Sequence, residues 1–176
     1  MNRLLLRKYY RLILEQEQGV IDLTNHTVKY SKEDKDKQQE RIAYQQERLA
    51  YQKAEQYIKD GSRGDLDLSN TSITQLPAGL KVGGSLYLID TPIAQLPAGL
   101  VLGGSLDLSR TRIAQLPAGL KVGGSLYLSH NTRIAQLPAG LVVDGNLYLI
   151  DTPISKKYTR EELKQMLPGV KKSIIF

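Results

Sequence analysis

Leu66-Asp-Leu-Ser-Asn-Thr-Ser-Ile-Thr-Gln-Leu-Pro-Ala-Gly-Leu-Lys-Val-Gly-Gly-Ser85 is one of five near-copies of a twenty-residue phrase; the others start at Leu86, Leu106, Leu126 and Leu147. A period of this size predicts a solenoid, in which each repeat buries its apolar face only against its neighbours. Strand alternation sends Leu66 and Leu68 inward and Asp67 outward. Ile73 turns back in, Leu76 and Leu80 close the rear of the coil, and Val82 follows. Pro77, Pro97, Pro117 and Pro138 have no N–H for a ladder, so that arc reads as extended or turn-like chain. The Gly-Gly-Ser segments read as tight return turns, with positive φ expected at their glycines.

The flanks read as devices that hide the end coils. Thr159-Arg-Glu-Glu162 is a capping-box pattern, followed by Leu163, Met166 and Leu167 at helical spacing and a stop at Pro168-Gly169. Val170 and Ile174-Ile175-Phe176 read as a last strand. At the other end, Asn2 to Gln18 carries a helical pattern, with Leu5, Leu6, Tyr9, Leu12 and Ile13 on one face. Ile21-Asp-Leu-Thr-Asn-His-Thr-Val28 matches Leu66 to Ile73 and reads as a degenerate first repeat, for seven strands in all.

Between that segment and the regular repeats lies an insertion rich in Gln, Glu, Lys and Arg. Ser31 to Lys59 has no Gly or Pro and contains the heptad-like pair Arg41-Ile-Ala-Tyr-Gln-Gln-Glu47 and Arg48-Leu-Ala-Tyr-Gln-Lys-Ala54, which predicts a long helix. Ala43, Ala50 and Ala54 lie mid-face. Ile42, Leu49 and Tyr57 edge them on one side, and Tyr44, Tyr51 and Ile58 on the other. That face either packs on the protein's own body or docks another chain. The organisation expected is therefore 1–30, cap helix and degenerate repeat; 31–63, inserted charged helix; 64–154, five repeats; and 155–176, cap helix and strand. The fold class is an α/β solenoid with short parallel strands, helical caps and an inserted helical arm.

The 176 residues include no cysteine, which removes disulfides and thiolate metal sites. The net charge of +6 is uneven: residues 61–154 hold six basic and six acidic residues, whereas 155–176 hold six basic and two acidic. The apolar run Leu4–Leu6 is cut by Arg7 and Lys8, too short for a signal peptide, and no stretch approaches the ~20 apolar residues of a membrane span. His26 and His130 lie in no metal-ligand spacing, and His130 reads as a surface turn residue. The glycine pairs recur with the period, so the fold explains them without a phosphate. No catalytic residue, metal ligand or cofactor is expected.

The repeat resembles the leucine-rich repeat family, in particular the short bacterial LPX type marked by Leu-Pro-x-Gly-Leu, found in secreted effectors and in small repeat proteins of bacteria and phages. The resemblance covers residues 64–154. It departs where the family usually places an asparagine; here the position reads Thr71, Thr91, Thr111, Thr132 and Thr152, a ladder able to hydrogen-bond along the stack. An extra residue near His130-Asn131 requires a bulge.

The functional expectation is a non-enzymatic protein–protein interaction module. Its surface is the outward strand face, with Asp67, Tyr87, Asp107, Tyr127 and Tyr148 in one row and Ile89 and Ile150 in the next; tyrosine combines area with a polar tip. The partner is a protein, either another chain or a second copy of this one, with the helical-arm residues Ile42, Tyr44, Leu49, Tyr51 and Ile58 as further contacts. The resemblance also admits an assembly component, for example of a phage particle, docking through the arm, and a cytoplasmic or particle-associated location. A nucleic-acid or anionic-surface reading, through Lys156, Lys157, Lys164, Lys171 and Lys172, is the least favoured, because the solenoid itself is neutral.

Overall fold

The computed structural model describes residues 20–22, 27–29, 32–131 and 133–176. They divide between two units, one up to Gln45 and one from Gln46 onward. The helix expected over Asn2 to Gln18 lies outside the described residues, as does His26.

The first unit contains strands β1 (Val20–Asp22) and β2 (Thr27–Lys29), and helix α1 (Lys32–Lys59) begins in it. β1 pairs with β2 antiparallel, Ile21 opposite Val28. This corrects the reading of Ile21 to Val28 as a first coil. The segment matches the repeat for eight residues only and has no Leu-Pro-Ala-Gly-Leu arc after it. A strand a few residues away, with the β-branched Thr27 and Val28, offers pairing at much lower loop-closure cost than a neighbour beyond the long helix.

In the second unit the chain winds through β3 (Leu66–Asp67), β4 (Lys81–Val82), β5 (Leu86–Tyr87), β6 (Val101–Leu102), β7 (Leu106–Asp107), β8 (Lys121–Val122), β9 (Leu126–Tyr127), β10 (Val142–Val143) and β11 (Leu147–Tyr148). Helices α2 (Pro153–Lys157) and α3 (Arg160–Met166) and strand β12 (Ile174–Ile175) follow. The result is a parallel β-solenoid with twenty-residue turns. Strands β3, β5, β7, β9, β11 and β12 form one sheet, and β4, β6, β8 and β10 a second. The sheet has six strands, not seven, because β1 pairs elsewhere. Leu66, Leu86, Leu106, Leu126 and Leu147 stack as a column through the centre. The leucines two residues on form another, and Ile73, Ile93, Ile113 and Ile134 a third. All are at most 2% exposed. The second sheet was not evident in the sequence, since two residues such as Lys81-Val82 carry no alternation of their own; the ladder between coils makes them strands.

The glycines divide their work differently from the expectation. Positive φ falls at Gly79, Gly99, Gly119 and Gly140 of the Pro-Ala-Gly turns, with φ of 67–75°, as a type II turn requires at its third residue. The Gly-Gly pairs instead allow close approach: a Cβ on Gly104 would lie 2.6 Å from the Gly84 carbonyl carbon and 2.7 Å from the Ser85 nitrogen.

The threonine ladder also differs. Thr71, Thr91, Thr111 and Thr152 donate their hydroxyls to the carbonyls of Leu68, Leu88, Leu108 and Leu149 at 2.7–2.8 Å, each closing its own coil rather than linking coils. In the remaining coil the position belongs to Asn131, which is fully buried; Thr132 lies outside the described residues. Asn131 Nδ2 donates to Thr111 Oγ1 at 3.2 Å, and its Oδ1 accepts from the N–H groups of Arg133 and Ile134. The twenty-first residue of this coil is thus absorbed around an asparagine side chain that satisfies the backbone of the longer loop.

Both ends of the sheet column are built from side chains the sequence made prominent. From Gln46 onward α1 lies along the first coil. Ala50 and Ala54 are buried. Tyr57 Oη donates to the Gly64 carbonyl at 2.7 Å and accepts from Gly83 N–H. Lys53 donates to the Asp67 carbonyl. The helix thereby occupies an otherwise open strand edge. At the far end, Thr159 and Glu162 form a capping box on α3, and β12 pairs with β11, Leu147 opposite Ile174.

Candidate interaction surface

The ladder register places Asp67, Tyr87, Asp107, Tyr127, Tyr148 and Ile175 in one outward row, a strand spacing apart. Hydrogen bonds continue past the short strands, from Asn70 N–H to the Ile89 carbonyl and from His130 N–H to the Ile150 carbonyl. Ser69, Ile89, Ser109, Ser129 and Ile150 therefore form a second row. The sequence-derived surface is thus brought together as one face. Ile150 is exposed, Ile89, Tyr87, Tyr127 and Tyr148 are half-buried, and Ser109 is buried.

The rings of Tyr127 and Tyr148 stack with centroids 4.4 Å apart and planes 7° from parallel. Burial pushes the Tyr127 phenol above its ordinary value, so it remains a neutral donor at physiological pH. Asn146 Nδ2 donates to Tyr148 Oη at 3.2 Å. The two aspartates of the row are restrained by their own chain: Asp67 Oδ1 accepts from Ser69 N–H, and Asp107 Oδ1 from Ser109 N–H, both at 2.9 Å. The Ser69 N–H holds the Asp67 carboxyl below its usual range. The face accordingly presents fixed carboxylates and flat aromatic area on a rigid ladder.

A column of polar and charged residues bordering this face was not anticipated. Asn70, Asp90, Arg110, His130 and Asp151, one per coil, all have φ between 55 and 59°. Asn and Asp tolerate this left-handed conformation better than other non-glycine residues, and their recurrence four residues after Leu66, Leu86 and Leu147 was the available signal. Arg110 pairs with Asp90 through two hydrogen bonds of 2.7 and 2.6 Å, which hold the Asp90 carboxyl below its usual range. His130 Nδ1 lies 3.1 Å from Asp151 Oδ2. The exposed turn position read for His130 is where it stands.

The arm residues lie on a different element. Ile42, Tyr44, Leu49, Tyr51 and Ile58 are all exposed on α1, while Ala50, Ala54 and Tyr57 face the first coil. Of the basic cap residues, Lys171 pairs with Asp144 at 2.7 Å and Lys157 lies 4.9 Å over the Tyr158 ring. Among the described residues no three His, Cys, Asp or Glu side chains group so as to hold a metal ion, and no helix is long and apolar enough to cross a membrane.

No protein-family model, curated protein or solved structure matches the chain.

Proposed function

We propose that this chain is a non-enzymatic interaction module of the leucine-rich-repeat type, and that it binds a protein partner through the Tyr/Asp face of its six-stranded sheet. The observation that carries this reading is the outward row itself: the stacked Tyr127–Tyr148 pair, Tyr87, and the exposed Ile150 lie outside the buried core, yet they place aromatic and apolar area on the outward face of the six-stranded sheet. Six strands at ~4.8 Å span about 24 Å, so the face offers on the order of 300 Å², less than the ~800 Å² per partner of a standard interface. The partner is therefore held weakly by this face, or more firmly where a second element adds area.

The test is site-specific photo-crosslinking in a lysate of the source cells, with a benzophenone side chain at position 87 or 148 and a control at Ala98 on the opposite ridge. A discrete adduct from the sheet positions that is absent from the control, and abolished by Tyr127→Ala with Tyr148→Ala, is expected. Identical adducts from both sides would end the proposal. A second reading, an assembly component that docks through the helix, is favoured by the exposure of Leu49, Tyr51 and Ile58, 64%, 37% and 38%. It requires that light scattering show an oligomer that Leu49→Glu with Tyr51→Glu converts to a folded monomer.

A further inference from the structure

The six-stranded sheet is closed differently at its two ends. At β3 the edge lies beside α1. At the other end the strand order stops at β12, and among the described residues nothing pairs with its far side. Leu147 N–H donates to the Ser173 carbonyl and Leu149 N–H to the Ile175 carbonyl. In a parallel ladder the intervening residue turns its groups the other way, so the N–H and C=O of Ile174 face outward along the edge. Beside them runs a groove of about 410 Å³ between β12 and α3, lined by Arg160, Glu161, Lys164, Ser173, Ile174 and Ile175. It occupies the place where a further coil would sit.

We propose that this groove receives an extended acidic segment of a partner protein, which adds to β12 as the next strand. Three observations select that occupant. The edge supplies unpaired backbone groups, the currency of strand addition. The lining cations Arg160 and Lys164 lie four residues apart on one helix face, against the single carboxylate of Glu161, with the exposed Lys172 two residues before β12. A strand there alternates its side chains, so acidic residues on one side meet Arg160 and Lys164. The residues between them prolong the outward row that ends at Tyr148 and Ile175. A second copy of this chain fits poorly: its own β12 edge has the same cations, and its β3 edge is occupied by α1. The proposal does not rest on the Tyr/Asp face being a binding surface.

The experiment uses the full chain and a short fluorescein-labelled peptide of alternating Glu and Val, followed by anisotropy. Saturable binding is expected, with the Lys-Val analogue failing to bind. Methylating the backbone nitrogens on one edge of the peptide removes two donors and weakens binding on the order of tenfold. Lys164→Glu, at an exposed position, weakens it about fivefold or more, and Lys156→Glu, outside the groove, leaves it unchanged; circular dichroism confirms that both variants are folded. The peptide protects the Ile174 amide from hydrogen exchange. Absence of saturable binding, indifference to N-methylation, or equal losses from the two lysine variants would each overturn the proposal. So would a dimer of the chain whose interface protects the same amide.

Discussion

Two glycine-to-alanine changes separate the two demands that the coil makes on glycine. At Gly119 φ is +67° and nothing lies within 4 Å of the position a Cβ would take. Alanine there suffers only the left-handed strain of about 1–2 kcal/mol, offset by roughly 0.4–1 kcal/mol because the unfolded chain becomes stiffer. The net loss is about 0.5–1 kcal/mol. At Gly104 the conformation suits any residue, but the Cβ would lie 2.6–2.7 Å from backbone atoms of Gly84 and Ser85. Backbone atoms cannot rotate aside, so the coils must part. Overpacking of this kind costs about 1–3 kcal/mol, and the 2.7 Å hydrogen bond from Gly104 N–H to the Gly84 carbonyl adds about 1 kcal/mol when stretched. With the same unfolded-chain offset, Gly104→Ala should therefore lose about 1.5–3 kcal/mol, two to three times the loss of Gly119→Ala. Urea unfolding followed by far-ultraviolet circular dichroism reads both. A Gly104→Ala protein within about 0.5 kcal/mol of the parent, the usual range for surface changes, or a reversed order, would refute the close-approach assignment.

Asn131→Ala should cost about 1–3 kcal/mol, since it leaves the buried Ile134 N–H, and the half-buried Arg133 N–H beside it, without their acceptor; restoring the twenty-residue phrase by Asn131→Thr with deletion of Thr132 should recover most of it in the same unfolding assay. Asp90 titrates below its ordinary 3.8 when folded, chiefly through the Arg110 hydrogen bond. Its contribution is present above that value and is lost as pH falls through it to the lower folded value, so Asp90→Asn should flatten the acid limb of stability below about pH 4; an unchanged limb would refute the link. Ala54→Glu, at a position with no exposure, should lift the helix from the first coil and expose Gly64 and its neighbours to limited proteolysis, whereas Leu49→Glu should leave the digestion pattern as it was.

The leucine and isoleucine columns were legible because a period of twenty turns any single inward residue into a stack. The C-terminal capping box and the final strand were legible because each is a local signal, readable from Thr159, Glu162 and Ile174-Ile175 alone. What the sequence did not reveal depends on neighbours twenty residues away. Gly104 reads as a turn former until Gly84 stands against it. Thr111 is the local exception: it reads as a rung, yet its hydroxyl donates to the Leu108 carbonyl three residues back. Val82 acquires strand character only from Leu102. For the candidate surface, alternation alone placed Tyr87, Tyr127 and Tyr148 in one row, but the stacking of the latter two and the left-handed charged column beside them needed the register. Ile21-Asp-Leu misled because eight matching residues are too few to outweigh a nearer pairing partner.

The twenty-residue register also bears on how such a chain can change over time. Contacts between coils join residue i to i+20 almost throughout, so an in-frame duplication of Leu86 to Ser105 would insert a turn whose upper and lower surfaces already fit their neighbours. Growth or shrinkage by whole repeats is therefore nearly neutral for the fold, while it lengthens or shortens the outward rows in steps of one strand. The coil holding Asn131 is the exception: with twenty-one residues and its own side-chain bracing, it is the turn that unequal exchange with its neighbours would leave imperfect. It thus acts as a fixed mark in an otherwise interchangeable series.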